Sequence, residues 1–452
     1  MNKYYTFALI LITSLSYAQI VNIPDPNFKN ALLTHEPVID TNNDGEIQYS
    51  EAEATIALWA FNSGINDLTG LEAFINLEEI YCSSNNISNI DTSYFPLLEV
   101  LSCIGNNLTS IDVSQNPYLR YFFCSSNDIS EIDISSNPNL LRIDFGNTLI
   151  QELNLENNND LELIRLYRAI LNTIDVSNLA ALKTLEIGFN PISEIDLSNN
   201  SNLEYFSAYS TNLTELNIEN NAQLLMLIIA FTDITSLDVS SNLDLRLLDF
   251  GATLIPDMDV SILEDLQWID FSGTLTPSID LSNSYNLCKV NGGYSNDLEY
   301  INLRNGNNII LQQENTCHVQ SAHTGYSSPS SVFLFQSFNL EFICVDDIPF
   351  AEEHFIEIPP GTELIEECLL SISENQSKDL KLYPNPSSTT FTVESETLMA
   401  SITVMNSLGQ TLLELKPNST IEHIDISEFS AGSYLVRVTV GTNSSVYHLL
   451  KK

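Results

Sequence analysis

Leucine returns every 21 residues, at Leu77, Leu98, Leu119, Leu140, Leu161, Leu182, Leu203, Leu224, Leu245 and Leu266. Ten units follow without a slip, and an eleventh starts at Leu287 and drifts by one residue near Leu298. A strict period this short restricts the chain to a solenoid with one coil per repeat. A coil cannot bury its own apolar face, so stacking must supply the core.

Two apolar groups recur within a unit. In "LRYFFCSSNDISEIDISSNPN", residues 119–139, the first is Leu119, Phe122 and Cys124 and the second is Ile129, Ile132 and Ile134. Repeat positions 4 and 6 alternate, as do 14 and 16, which is the period of a strand. No segment of the unit is long enough for a standard helix. The expected fold is therefore mainly β: a right-handed solenoid with two short parallel strands per coil, forming two sheets. Ten coils at strand spacing span roughly 48 Å. Position 9 holds Asn85, Asn106, Asn127 and Asn190, with Thr148, Thr211, Thr232, Thr253 and Thr274 elsewhere. Short polar side chains after a strand can satisfy the buried backbone of a turn.

The pattern LxxLxCxxNxIxxIDxSxNPx resembles the leucine-rich repeat, in its 21-residue bacterial form, over residues 77 to about 300. The resemblance implies that the strand after the first Leu lines a concave face that binds a partner. The outward residues agree with a contact surface there. Position 3 carries Tyr121, Tyr205, Met226 and Trp268, and position 5 carries Tyr81, Phe123 and Ile228. Position 7 adds Tyr167 and Tyr209. A contiguous apolar patch on a soluble chain marks a contact surface, so Tyr81, Tyr121, Phe123, Tyr205, Met226, Ile228 and Trp268 are the expected partner-binding residues. Position 15 is almost always Asp or Asn, as in Asp112 and Asp133, placed to cap turn N–H groups. Asp144, Arg165 and Glu186 alternate in sign at position 5, whereas Asp249 and Asp270 are like-charged neighbours that could anchor a cation or a ligand hydroxyl.

Sixteen Lys and Arg stand against 59 Asp and Glu, a net charge of −43. That balance repels nucleic acid and anionic lipid. Residues 1–18 read as a secretory signal peptide, with cleavage between Ala18 and Gln19. No later segment is apolar for long enough to span a bilayer. Cys82, Cys103 and Cys124 share position 6 with Phe145, Leu166 and Ile187, so they read as buried thiols in a core column. Cys344 and Cys368 are disulfide candidates, and the pairing of Cys288 and Cys317 is open.

Ahead of the repeats, "DTNNDGEIQYSE" spans residues 40–51 and matches the EF-hand calcium loop. Asp40, Asn42, Asp44, Glu46, Gln48 and Glu51 occupy its ligand positions, Gly45 its turn, and an exit helix is expected from Ser50 through Ala60. Pro37 breaks the usual entering helix. Structural Ca²⁺ is the expected cofactor, and residues 19–76 would cap the first coil. Solenoid residues 77–308 lead to a C-terminal cap and linker, 309–377. Residues 378–452 alternate apolar and polar residues between turns, as a small β-sandwich does. With Tyr383-Pro384-Asn385-Pro386, Ala431-Gly432-Ser433-Tyr434 and a terminal Lys451-Lys452, they resemble the sorting domain of Bacteroidetes type IX secretion cargo. That resemblance implies passage across the outer membrane and release or surface attachment, with the secretion machinery as a partner.

These features point to a secreted or cell-surface binding protein that recognises a protein or glycan ligand on the concave sheet, for adhesion or recognition. A structural spacer would present a bland concave face. A polysaccharide-acting β-helix enzyme would need a base beside acidic cation ligands. No G-x-S-x-G, H-E-x-x-H or P-loop motif is present, so the expectation is no enzyme.

Overall fold

The computed structural model describes residues 19–306, 332–355, 358–366, 368, 380–383, 387, 389–395, 397–406, 411–430, 432–440 and 443–451. The expected signal peptide and Cys317 lie outside the described residues. The chain forms two compact units, residues 1–366 and 367–452.

In the first unit thirteen short strands make one parallel sheet, from Ala57–Trp59 to Val332–Phe333. Register follows the repeat: Tyr121 pairs with Val100 on one side and Arg142 on the other. The sheet starts inside the segment expected as a cap, since Ala57–Trp59 pairs with Glu79–Tyr81. The expected exit helix is accordingly shorter, Tyr49–Ala54. The middle residue of each strand faces inward. Leu58, Ile80, Leu101, Phe122, Ile143 and Ile164 are fully buried, as are Cys82, Cys103 and Cys124, which are free thiols. One continuous core runs from Val21 to Phe355. Burial pushes the Cys82 thiol up to about 12, so it stays protonated and inert. Cys288, Cys344 and Cys368 are each disulfide-bonded.

Each strand ends in a backbone reversal that the repeat pattern does not announce. Position 8 takes a left-handed conformation in coil after coil, at Ser84, Ser126, Asn147, Arg168, Phe189, Ser210 and Phe231. Only Gly105 and Gly273 supply the glycine such a φ favours. The turn is held by bonds to the next coil: the N–H of Ser126 donates to the carbonyl of Gly146, and that of Phe231 to Gly251, at 2.9 and 2.8 Å. The position 9 side chain closes it. Asn127 donates to the carbonyls of Cys103, Cys124 and Ser125 and accepts the N–H of Leu108 at 2.9 Å. Thr148 at the equivalent place donates only to the Phe145 carbonyl, at 2.7 Å.

The second strand per coil forms only toward the C-terminal end. A four-stranded parallel sheet joins Ser278–Asp280, Tyr300–Asn302, Phe342–Cys344 and Glu363–Ile365. Earlier coils have no strand in that half; there side chains bond the backbone of the turns. Asp133 accepts the N–H of Ser135 at 2.9 Å, and Asp112, Asp175, Asp196 and Asp238 do the same two residues on. Asn137, at position 19, donates to Val113 and Asn116 carbonyls of the preceding coil, at 2.9 and 2.8 Å. Asn158, Asn200, Asn221 and Asn242 repeat that bond.

The second unit packs a three-stranded antiparallel sheet, Leu380–Tyr383, Thr390–Ser395 and Ile421–Asp425, with a four-stranded one. The latter holds Met399–Asn406, Thr411–Leu415, Gly432–Val440 and Asn443–Lys451. Phe391, Val393, Ile402, Val404, Val436 and Val438 fill the space between them, as in a small sandwich.

Asn127→Ala leaves the buried Leu108 N–H and the Cys124 carbonyl short of a partner, since Asn106 still donates to the Cys103 carbonyl and the Gly105 N–H to that of Ser125, so it should destabilise the solenoid by about 2 kcal/mol or more. Thr148→Ala removes a single bond and should cost about 1 kcal/mol. Equilibrium urea unfolding of the two variants checks the difference.

Candidate partner-binding face and metal loop

Positions 3, 5 and 7 of every strand point away from the core, and the face they make differs along its length. At the N-terminal end Tyr81, Tyr121 and Phe123 are half-buried and Trp59 is 44% exposed. Trp59 escaped the sequence pattern because its strand precedes the first regular repeat. It stacks on His35 at 5.5 Å, and His35 accepts the Trp59 N–H at 2.9 Å. The guanidinium groups of Arg120 and Arg142 lie 5.6 and 5.8 Å from the Tyr121 ring.

Toward the other end the expected exposure does not hold. Ile228 is fully buried and Trp268 is 7% exposed. They form a cluster with Leu247 on the outer face, and Tyr205, Tyr209 and Met226 pack against it. Long side chains on adjacent strands shield one another at strand spacing. Lys289 lies over the Trp268 ring at 4.2 Å. Ile228 and Trp268 are therefore packing residues of this face, and their removal costs stability.

Beside this cluster Asp249 and Asp270 are buried in register on adjacent strands. Burial, then the charge of Asp270, pushes the Asp249 carboxyl well above the usual range. Burial also raises Asp270, against opposing bonds from Ser272 and Asn291, the latter at 2.6 Å. Tyr205 is raised mainly by burial as well. In the middle of the face Arg165 pairs with Glu186 at 2.8 Å. An open concavity of about 520 Å³ lies there, lined by Asp144, Arg165, Glu186, Asn147, Tyr167 and Arg168, among others. Burial raises Asp144, while the N–H of Gly146 and then Arg165 oppose it.

The loop 40–51 lies in the N-terminal cap. Gly45 takes a φ of 79°, and Ile47 is fully buried, with its carbonyl accepting the Val21 N–H at 2.7 Å. The preceding helix ends at Leu33, so no helix enters the loop directly. Asp40 accepts the N–H groups of Asp44 and Gly45. Glu51 accepts from Thr41, Asn42 and Gln48 backbone amides, which makes it a helix-capping carboxylate here. The amides of Asn42 and Gln48 donate to Asp44. Glu46 pairs with Lys29 at 2.6 Å. Among the described residues no three carboxylates, imidazoles or thiolates converge as a metal site. The donor set is all oxygen, as calcium requires, but its carboxylates face loop amides.

Residues 381–452 match the secretion system C-terminal sorting domain. That domain marks type IX secretion cargo, so the protein is secreted or attached to the cell surface. No helix among the described residues is long and apolar enough to cross a membrane. The structure is similar to the functional domain of InlJ from Listeria monocytogenes, which includes a cysteine ladder: TM-score 0.60, 21% identity, covering 96% of this chain and 98% of that one. It is also similar to an internalin (inlF) of L. monocytogenes, with TM-score 0.57, 20% identity and coverage of 79% and 99%. These likenesses show the leucine-rich-repeat fold. An ulvan lyase, NLR42, of Nonlabens ulvanivorans is 32% identical over 81 residues, 18% of this chain. The chain spans 15% of that relative's length.

Folding that raises a carboxyl's pKa gives stability that is present below the unfolded value and lost as pH rises through the folded one. Asp249→Asn keeps an oxygen for the Gly251 N–H and removes the charge. It should match the wild-type Tm in acid and exceed it at neutral pH and above. Calorimetry across pH checks this, and equal Tm values throughout would show that Asp249 carries no burial penalty.

Proposed function

We propose that this leucine-rich-repeat protein with a type IX sorting tail is a non-enzymatic binding protein that recognises a protein or glycan through the outward face of its long sheet. The observation that carries the reading is the N-terminal patch of Trp59, Tyr81, Tyr121 and Phe123. These aromatics stand outward although the inward positions already fill the core. Aromatic anchors flanked by arginine are the residue types that dominate contact energetics. A spacer needs no such patch.

Tyr121→Ala and Phe123→Ala should each weaken partner capture by about 2 kcal/mol, with stability changed by under about 1 kcal/mol. Phe122→Ala, one residue away but inward, should destabilise by about 3–5 kcal/mol. Pull-down and thermal melts on the three variants separate binding from packing. A spacer would show unchanged capture for the first two.

Export rests on the tail. A chain ending at residue 380 should accumulate in the periplasm with its solenoid folded, as fractionation and circular dichroism would show. Surface display of the truncated chain would contradict this.

The loop 40–51 is also proposed as a structural calcium site, on the spacing of Asp40, Asn42, Asp44, Glu46, Gln48 and Glu51. Binding would draw Asp44 and Glu51 away from their present amide partners. Calcium at a hundred times its Kd should then stabilise the fold by about 2.7 kcal/mol. Asp44→Ala should abolish the calcium-dependent rise in Tm. A melt identical with calcium and with chelator would refute the site.

A further inference from the structure

The chain carries 16 Lys and Arg against 59 Asp and Glu, yet three neighbouring coils of the long sheet reverse that sign. In their strand-bearing halves, residues 119–126, 140–147 and 161–168, the charged residues are Arg120, Arg142, Arg165 and Arg168 against Asp144 and Glu162. Arg165 is committed to Glu186 at 2.8 Å, Arg120 approaches Glu99 at 3.8 Å, and Glu162 pairs with Lys183 at 3.5 Å. Asp144 accepts the Gly146 N–H at 3.1 Å and stands in register with Arg165 on the next strand. Arg142 and Arg168 differ from the other two arginines. Both are exposed, and among the described residues neither pairs with a carboxylate. Each lies against a ring instead: Arg142 at 5.8 Å from Tyr121, Arg168 at 4.6 Å from Phe189 and 5.4 Å from Tyr167. A ring contact holds a guanidinium in place and leaves its N–H donors unspent. Acids far outnumber bases in this chain, so an arginine without one is not short of candidates. Arg168 also lines the concavity of about 520 Å³, beside Ser125, Ser126 and Asn147.

We propose that the partner is a protein whose contacting segment presents two or more Asp or Glu side chains beside apolar ones. The proposal rests on the binding role argued above and names the chemistry of what binds. Trp59, Tyr81, Tyr121 and Phe123 take the apolar side chains. Arg142 and Arg168 take the carboxylates, since a guanidinium fork meets a carboxylate in two parallel bonds. Much of the remaining surface repels an acidic segment, whereas here it meets opposite charge, which fixes where and in which register it docks. The extent of the patch selects a protein over an anionic polysaccharide. Three coils span roughly 10 Å at strand spacing, room for about two carboxylates. Beyond them stand Glu79 and Glu99 on one side and Glu204 on the other. A polymer charged at every ring runs on into those acids, whereas a protein segment presents a few carboxylates and then stops.

The test pans a random dodecapeptide display library on the full mature chain and titrates the enriched peptides as synthetic probes. They should carry at least two Asp or Glu next to Trp, Phe or Leu, and their affinity should fall as salt is raised. Arg142→Gln and Arg168→Asn should each weaken binding about tenfold or more with Tm nearly unchanged. The second change installs what Asn147 supplies at the same place in the coil before. Arg142→Lys keeps the charge without the fork and should recover only part of the loss. Basic peptides, or acidic ones indifferent to both arginine variants, would overturn the proposal. So would a hexagalacturonate that binds through the same arginines when no acidic peptide does. Neutral peptides lost in Tyr121→Ala would overturn the acidic partner and leave the sheet-face reading standing. No binder, or binders all indifferent to Tyr121→Ala, would overturn that reading and this proposal with it.

Discussion

The carboxamide of Asn127 holds two coils at once. It donates to carbonyls at Cys103 and Cys124, one in each coil, and accepts an N–H at Leu108. Without such a group the reversal after each strand would bury backbone that nothing satisfies. The left-handed residue just before it costs roughly 1–2 kcal/mol when it is not glycine, and the bond from its N–H to the next coil offsets that cost. Stacking, strand register and the direction of outward side chains all follow from this turn.

Because the turn is satisfied within the stack, the outward sheet face is left to carry other chemistry. Its two ends use apolar residues differently. Around Trp59, Tyr81 and Tyr121 the aromatics remain reachable. Around Ile228, Leu247 and Trp268 they bury one another and draw Asp249 and Asp270 out of water. Neutralising those two acids by protonation costs less than ionising both in a dry site. A face that looks uniform as a column of letters thus keeps its aromatics reachable at one end and buries them in a satellite core at the other.

The repeat made the coil, the inward residues and the polar column at position 9 legible, since each follows from a fixed spacing. The left-handed position 8 was not legible, because Ser, Asn, Arg, Phe, Ala and Tyr all occupy it and the next coil's carbonyl is what enforces it. Phe189 and Phe231 were missed for the same reason. The second strand was overread: alternation at Ile132 and Ile134 reports burial and does not by itself make strands pair. Trp59 was hidden by a first coil one residue longer than the ten that follow it along the long sheet.

Almost every bond described in the solenoid joins a coil to itself or to an adjacent one. Such an object has a direction but no intrinsic size. A gain or loss of one whole 21-residue unit would leave each surviving junction chemically unchanged, so the length of the molecule is free to drift in steps of a single coil. What a coil change alters is the count of outward residues in each column. Surface reach is therefore the property on which selection can act without having to solve the folding problem again.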